Sequence, residues 1–157
     1  MDLLARADSD VRLSDVRTPT LVRLIARASA AQLDAVAASD AARRVVLAEV
    51  FDRMSAHLRA DRAHRTSAVV HWRIGCQHTE VDAHEWFQTV IDDGACTTGT
   101  ELDRAPRVTL TVDMADFVRL ATGITGPVRL LATRRLRIRG DVRYAIRLAG
   151  LFEIPAA

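Results

Sequence analysis

The residues best suited to hold a metal ion lie in the middle of the chain. His71, Cys76, His78 and His84 carry the nitrogen and sulfur donors that zinc prefers. They are separated by four, one and five residues, which matches no common zinc pattern, and they span a strand and a loop. We therefore predict neither a metal site nor another cofactor.

Groups for acid–base or nucleophilic catalysis are equally sparse. Asp92 and Asp93 are adjacent on an extended segment, so their carboxylates face opposite ways and do not form an acid–base pair. The pair Asp93-Gly94 is instead typical of a hairpin turn. The sequence has no glycine-rich phosphate loop and no nucleophile elbow. We predict no catalytic residues and a protein that is not an enzyme.

The elements that would position any site begin with helices. Thr18-Pro19-Thr20 is a helix start signal with proline in the first turn, and apolar residues follow at mostly helical spacing as far as Val36. Ser39 and Asp40 form a second start signal. The helix after it, residues 41–60, places Leu47, Val50, Phe51, Met54 and Leu58 at steps of three and four. That apolar face is predicted to lie against a sheet.

Strands follow, because the apolar period changes to two. In the segment 67–75, Val70, Trp72 and Ile74 share one apolar face. The segment 85–94 also alternates, but its inward face is ambiguous. The order of helix, three strands and two strand–helix units predicts a mixed α+β sheet with helices on one face.

The last third of the chain couples strands directly to helices. It reads VTLTVDMADFVRLATG over residues 108–123 and RLRIRGDVRYAIRLAGLF over residues 135–152. Asp113 stands at a helix N-cap position after the first strand, and Gly140-Asp141 opens a helix after the second. The second helix has more apolar surface than one stripe against a sheet needs. A hollow between the sheet and the helices could use that surplus.

This arrangement resembles the sterol carrier protein type 2 family, small lipid-binding domains with an apolar tunnel between sheet and helices. The resemblance covers roughly residues 41–155 and includes all the elements named after residue 40. It implies a five-stranded mixed sheet covered by helices on one face, with the tunnel and an added N-terminal helix. Residues 1–39 are then a tail plus that helix, and residues 40–157 form the lipid-binding domain. The short link after Gly123 implies a short tunnel-forming helix.

The resemblance also implies where a ligand would lie. The family's contacts come from the helix before Gly123, the following link and the C-terminal helix. Here those elements offer Phe117, Leu120, Ile124, Leu130, Leu131, Tyr144, Leu148, Leu151 and Phe152. Each of these residues is equally suited to an ordinary packed core. Tyr144 differs, because a buried phenol needs a hydrogen-bond partner that the polar end of a ligand could supply.

Charge and composition limit the partners. All 22 basic residues are arginine, and the formal net charge of +2 is too balanced for broad electrostatic binding of nucleic acid. Arg135, Arg137 and Arg139 alternate with Leu136 and Ile138, which is typical of the solvated face of an edge strand. The alternative is a basic stripe that meets phosphate. We predict no nucleic-acid partner and at most transient contact with a membrane surface.

The first residues and the hydropathy indicate a compartment. No apolar run is long enough to span a membrane, and the first ten residues carry three acids where a secretory signal would be apolar. We expect a cytoplasmic protein, in which Cys76 and Cys96 stay reduced.

The predicted function is non-catalytic binding or transfer of a lipid-like ligand, such as a fatty acyl chain, an acyl thioester or a sterol-like molecule. One alternative is a structural or dimerisation module with a self-filled core, in which the added helix contacts a second copy of the chain. Another is an enzyme acting on a lipid thioester, for which the sequence lacks a nucleophile–base pair. The apolar side of the added helix is explained equally by packing on the domain's own core and by packing on a second copy of the chain, and sequence does not choose between them.

Overall fold

The computed structural model describes residues 13–75 and 84–148. A short 3-10 turn, Leu13–Asp15, precedes the helices α1 Thr18–Arg27, α2 Ala30–Ala38, α3 Asp40–Ala56, α4 Ala60–Ala63, α5 Met114–Ala121, α6 Pro127–Ala132 and α7 Val142–Leu148. The strands are β1 Ser67–Gly75, β2 His84–Asp92, β3 Ala95–Gly99, β4 Val108–Asp113 and β5 Leu136–Gly140. Across these two ranges, no helix is long and apolar enough to cross a membrane.

One mixed sheet organises the domain. Its strand order is β3-β2-β1-β4-β5. Strands β1 and β4 pair in parallel, and the other neighbouring strands pair antiparallel. Strands β2 and β3 lie on one side of β1, and residues 100–107 return the chain to its other side, where β4 and β5 lie. The predicted α+β fold with a five-stranded mixed sheet is confirmed.

The helices cover the apolar face of this sheet. Val70, Trp72 and Ile74 of β1 are buried there, as the alternation predicted. The ambiguity in β2 is resolved by its register, because Phe87 pairs with Trp72 and Thr89 pairs with Val70. Phe87, Thr89 and Ile91 therefore face the helices. Strand β4 repeats the pattern with Val108, Leu110 and Val112 buried.

Four aromatic side chains fix the centre of the core. The ring of Phe51 on α3 stacks on Phe87, with centroids 4.2 Å apart, and on Phe117 of α5, at 4.8 Å. Trp72 meets Phe51 and Phe117 edge-on at 5.7 and 5.4 Å. The indole N–H of Trp72 donates to Thr89 Oγ1 at 3.0 Å, so its polar group is satisfied inside the core. Helices α3 and α5 are thus joined to the sheet through one cluster.

The segment before residue 39 forms two helices, whereas the sequence predicted one. The break falls at Ser29, whose hydroxyl accepts from the backbone N–H of Gln32 at 3.2 Å while the Gln32 side chain accepts from the Ser29 backbone N–H at 2.9 Å. This capping box starts α2 and stops α1, since its first residue must leave the helical conformation. The apolar sides of both helices join the core of the same chain.

Three predicted turns and caps are confirmed. Asp93 and Gly94 both have positive φ, 46° and 86°, and link the paired ends of β2 and β3 as a hairpin turn. Ser39 caps α3 by accepting from the N–H of Ala42. Asp141 caps α7 through Oδ1, which accepts from the N–H of Tyr144 at 2.9 Å. Asp113 occupies the N-cap position of α5 without a side-chain cap bond.

The other face of the sheet is polar. His71 Nε2 lies 3.1 Å from Gln88 Oε1, and the Gln88 amide donates to Asp103 at 2.6 Å. The backbone N–H of Arg104 donates to the same Gln88 oxygen at 3.1 Å. Residues 100–107 therefore cover His71 and Gln88, which are both buried. The hydrogen bond from Gln88 lowers the pKa of the Asp103 carboxyl.

The backbone at Gly140 leads to a stability prediction. Gly140 has φ 105°, and a Cβ there would meet the backbone oxygen of Arg107. Replacing Gly140→Ala is expected to lower the free energy of unfolding by roughly 2–3 kcal/mol, because it combines backbone strain with a backbone clash. Urea unfolding measures this change. The matched control is Gly99→Ala, where a Cβ meets nothing within 4 Å; equal losses in both variants would contradict the explanation.

Candidate ligand-binding site

An apolar cavity lies between the sheet and the helices. Its volume is about 50 Å³. The strands contribute Trp72, Leu110 and Leu136 to its wall. The helices contribute the rest of the apolar lining: Met54, Phe117, Leu120, Ala121, Pro127, Ala145 and Leu148. Helices α3, α5, α6 and α7 therefore each supply at least one wall residue.

Strand register explains how the sheet side of the cavity forms. Trp72 lies directly opposite Leu110 in the parallel pair β1–β4. Leu136 pairs with Val112, one inward position further along the β4–β5 ladder. These three side chains share one face because residues two apart on a strand point the same way. The wall is a consequence of the alternation that also builds the core.

Helix α5 supplies three residues of the cavity wall: Phe117, Leu120 and Ala121. It begins directly at the end of β4, so its buried side returns over the sheet. Phe117 is 1% exposed and contacts both the aromatic cluster and the cavity. Leu120 and Ala121, one turn further, complete that wall. Phe117 therefore couples the cavity to the packing of the whole core.

The nine predicted ligand residues divide into four groups. Phe117, Leu120 and Leu148 line the cavity. Leu130 is buried and Leu131 half-buried in the core around it, while Ile124 is 42% exposed and away from the wall. Leu151 and Phe152 lie outside the described residues. Tyr144 is buried next to the wall residue Ala145.

Sequence reasoning missed the strand residues of the wall. The alternation marks Trp72, Leu110 and Leu136 as an apolar face, but it assigns them only to the core. Met54, Pro127 and Ala145 are missed as well, because a helical residue's neighbours across a cavity depend on how helices cross. The alternation in β1, β4 and β5 was the available signal. It identifies any side chain that could face a ligand on that side of the sheet.

The phenol of Tyr144 is buried. Its side chain is 3% exposed, and among the described residues its hydroxyl has no hydrogen-bond partner. The guanidinium of Arg107 lies over its ring, 4.2 Å from the centroid, and is held by Asp141 at 3.0 Å. Burial raises the pKa of Tyr144, and the nearby Arg107 charge partly offsets that rise. The hydroxyl is therefore neutral at pH 7.

The remaining candidates for chemistry are accounted for by ordinary contacts. Cys96 is half-buried, and burial raises the pKa of its thiol while a hydrogen bond with Ser55 lowers it. The net rise keeps the thiol protonated and weakly nucleophilic. Of the possible zinc ligands, His71 contacts Gln88 and His84 Nδ1 lies 3.3 Å from Arg73. Cys76 and His78 are outside the described residues, within which no three metal-binding side chains come together.

Comparison of the sequence with known families agrees with this fold, in which a cavity lies between a mixed sheet and its covering helices. The model of the SCP-2 sterol transfer family matches residues 47–153, well over half of the chain. The chain belongs to the SCP-2 sterol transfer family. No curated protein matches the sequence significantly.

Solved structures share the fold of this SCP-2 family member. The sec-alkylsulfatase Pisa1 from Pseudomonas sp. superposes with a TM-score of 0.58 at 16% identity, over 68% of this chain but only 16% of the sulfatase. Sterol carrier protein 2 from Yarrowia lipolytica, in its apo form, gives 0.51 at 19% identity, over 65% of this chain and 85% of that protein. The ubiquinone synthesis protein UbiJ-SCP2 gives 0.50 at 12% identity, over 69% and 94%. At these identities the likeness is one of fold.

The burial of Tyr144 predicts an altered titration. Tyr144 is the chain's single tyrosine, so the ultraviolet absorbance of tyrosinate reports this residue alone. In the folded protein its midpoint is expected above the ordinary value of 10.0, and in urea it should return to that value.

The linkage to stability has a definite sign. Because the folded pKa is raised, the contribution of Tyr144 is fully present below pH 10 and is lost as pH rises through the folded pKa. Arg107→Gln removes a charge that lowers the pKa and should move the folded midpoint higher. Identical midpoints with and without urea, in protein that circular dichroism shows to be folded, would contradict the burial of this phenol.

Proposed function

We propose that this SCP-2 family member binds an apolar lipid-like ligand without converting it chemically. The ligand class is a fatty acyl chain, an acyl thioester or a sterol-like molecule, carried in the cavity between sheet and helices. The observation that supports this proposal is the lining of the cavity. It includes Trp72, Leu110, Phe117 and Leu148, and no charged side chain is among the described wall residues. Such a lining selects ligands by hydrophobic burial and gives loose specificity.

The cavity must widen to accept a whole ligand. Its volume of about 50 Å³ is well below the roughly 300–1,000 Å³ of typical small-molecule pockets. Helix α6 is the element that opens at least cost. It has six residues, too few for a stable isolated helix, and Leu130 is its one buried side chain. Pro127 at its start is part of the cavity wall, so moving α6 enlarges the cavity directly.

Burial energies favour this opening. Exposing Leu130 costs roughly 1.5–3 kcal/mol, whereas each ligand methylene that is buried contributes about 0.8 kcal/mol. About ten buried methylenes therefore supply roughly 8 kcal/mol, which exceeds the cost of moving α6. The remaining free energy of burial must also offset the translational and rotational entropy that the ligand loses on binding. A long chain suits the site better than a short one.

Tyr144 is proposed as the polar anchor of the ligand. Its hydroxyl is buried without a partner in the described residues, and an unmade hydrogen bond of that kind costs about 1–3 kcal/mol. A carboxyl, ester or hydroxyl group on the ligand could accept from it. The neutral state of the phenol suits it to donate rather than to pair with a cation.

A self-filled core is the alternative that one observation favours. The small cavity and the stacked rings of Phe51, Phe87 and Phe117 show that the helices already cover the sheet closely. In that case the chain is a structural or dimerisation module, and no lipid enters. Transient membrane contact and homodimerisation both remain compatible with the outer surface.

Native mass spectrometry of freshly purified protein, with lipid analysis of a matched organic extract, separates these two functions. Wild-type protein is expected to show discrete added masses that reappear in the extract as acyl or sterol-like species. Ala145→Leu adds three carbons to the cavity wall and is expected to remove most of that bound fraction. The matched control is Ala132→Leu on the exposed side of α6, which should keep it. A clean apo mass for wild type, above all as a dimer, would favour the self-filled core.

The anchor is tested by Tyr144→Phe with a long-chain fluorescent fatty acid as probe. Losing one hydrogen bond of about 0.5–1.5 kcal/mol is expected to weaken binding roughly threefold to tenfold. The unfolding midpoint of the free variant should equal or exceed that of wild type, because among the described residues the hydroxyl has no partner to lose. Unchanged affinity in the variant would remove Tyr144 from the site and leave the cavity itself in place.

A further inference from the structure

A second recess lies on the polar face of the sheet, away from the apolar cavity. It is an open groove of about 370 Å³ at the end of β4 and β5. Four arginines line it: Arg73, Arg134, Arg135 and Arg137. Leu136, between the last two, points to the opposite face and lines the apolar cavity. The groove is therefore separate from the proposed lipid site, and a ligand bound in it would be independent of that function.

Strand register holds two of these arginines at a defined separation. Arg73 of β1 pairs with Thr111 of β4, and Thr111 pairs with Arg137 of β5. The three residues form a row across the sheet, so the two arginine Cα atoms lie about 10 Å apart, twice the spacing of neighbouring strands. Thr111 lies between them and lines the groove. Arg73 Nη2 lies 3.3 Å from Nδ1 of His84, which also lines the groove. Guanidinium groups on two sides of such a groove can bind one tetrahedral anion between them.

The acids near the groove only partly neutralise it. Asp113 lines it, and Arg135 is paired with the buried Asp116, with Nε 3.0 Å from Oδ2. Within the ranges that the structure describes, no ion pair engages Arg134 or Arg137. The groove thus concentrates positive charge in a protein whose overall net charge is only +2.

Arg134 occupies a backbone position that normally favours glycine. It follows α6 with φ 60°, and its N–H donates to Leu131 O while the N–H of Arg135 donates to Leu130 O at 2.8 Å. This is the Schellman helix ending, whose left-handed residue is usually glycine. An arginine there strains the backbone, and its side chain reaches the groove. Strain of this kind is typical of positions where the side chain has a task.

We infer that this groove binds a phosphate group, with Arg73 and Arg137 on either side of it and Arg134 at its rim. Arginine suits this ligand because its planar fork donates two parallel hydrogen bonds to phosphate oxygens. The group belongs either to a phospholipid headgroup or to a soluble phosphoester. Both present the same oxygens to the arginines.

Inorganic phosphate is the first probe, at low ionic strength balanced with sodium chloride so that screening is constant. Phosphate is expected to raise the thermal midpoint of the wild-type protein above that in chloride. Arg137→Gln and Arg134→Gly should each weaken phosphate binding about tenfold and lose most of this shift. The control variant Arg139→Gln changes a residue on the same face of β5 but outside the groove. It should keep the phosphate-induced shift of the thermal midpoint.

The variant Arg134→Gly also distinguishes a role of Arg134 in phosphate binding from a role in stability. Without phosphate its midpoint should lie above that of wild type by roughly 2–4 °C, because glycine relieves the left-handed strain. A variant that is more stable yet binds less phosphate supports the groove as a site. A loss of stability in Arg134→Gly with an unchanged phosphate shift would overturn the assignment of this residue and of the rim.

Vesicles identify the source of the phosphate. Phosphatidylcholine vesicles with and without phosphatidic acid are sedimented with the four proteins. Binding that needs phosphatidic acid and is lost in Arg137→Gln and Arg134→Gly assigns a lipid headgroup. A phosphate shift with no vesicle binding assigns a soluble phosphoester. The inference is wrong if phosphate does not shift the thermal midpoint and the vesicles do not bind. It is also wrong if Arg139→Gln loses as much phosphate binding as Arg137→Gln and Arg134→Gly.

Discussion

The parallel pairing of β1 with β4 is the constraint on which the rest of the structure depends. Parallel neighbours need a long crossover connection, and here that connection contains the β2–β3 hairpin. The pairing sets Trp72 beside Leu110 on one face of the sheet and Arg73 beside Thr111 on the other. One register therefore positions both the apolar cavity and the arginine groove. A slip of a single residue would exchange the two faces.

The aromatic cluster carries that register into the helices. Phe51 joins α3 to the sheet, and Phe117 joins α5, which starts at the end of β4. Because Phe117 also lines the cavity, the cavity adjoins the aromatic cluster of the core. Helix α6 contributes no ring to this cluster, and its Pro127 lines the cavity. The cavity therefore has stacked aromatic packing on one side and, on another, a six-residue helix with one buried side chain.

Much of this arrangement follows from sequence alone. The period-two runs in β1 and β4, the Asp93-Gly94 turn and the cap at Asp141 are local signals, and each was predicted correctly. The inward face of β2 was not, because Trp86 and Phe87 offer an aromatic side chain to either face and only pairing with β1 chooses between them. The break at Ser29 was overlooked although its capping box is visible in the sequence.

The cavity shows the limit of such reasoning. Phe117, Leu120 and Leu148 follow from a helical stripe, but the strand wall and Ala145 depend on how elements cross. Arg134 could not be anticipated, since its left-handed backbone arises from the helix ending that precedes β5. Interactions between distant segments leave no local pattern, whereas caps, turns and alternation do.

The two tryptophans lie on opposite faces of the sheet. Trp72 is buried against the cavity, and Trp86, across the pair from Arg73 on the polar face, is 39% exposed with the guanidinium 5.9 Å from its ring. An indole in an apolar core emits at shorter wavelengths than one in water. The protein thus carries two intrinsic fluorophores with separable spectra, one adjoining each recess. The wavelength at which tryptophan emission changes therefore reports which face of the sheet a bound molecule contacts.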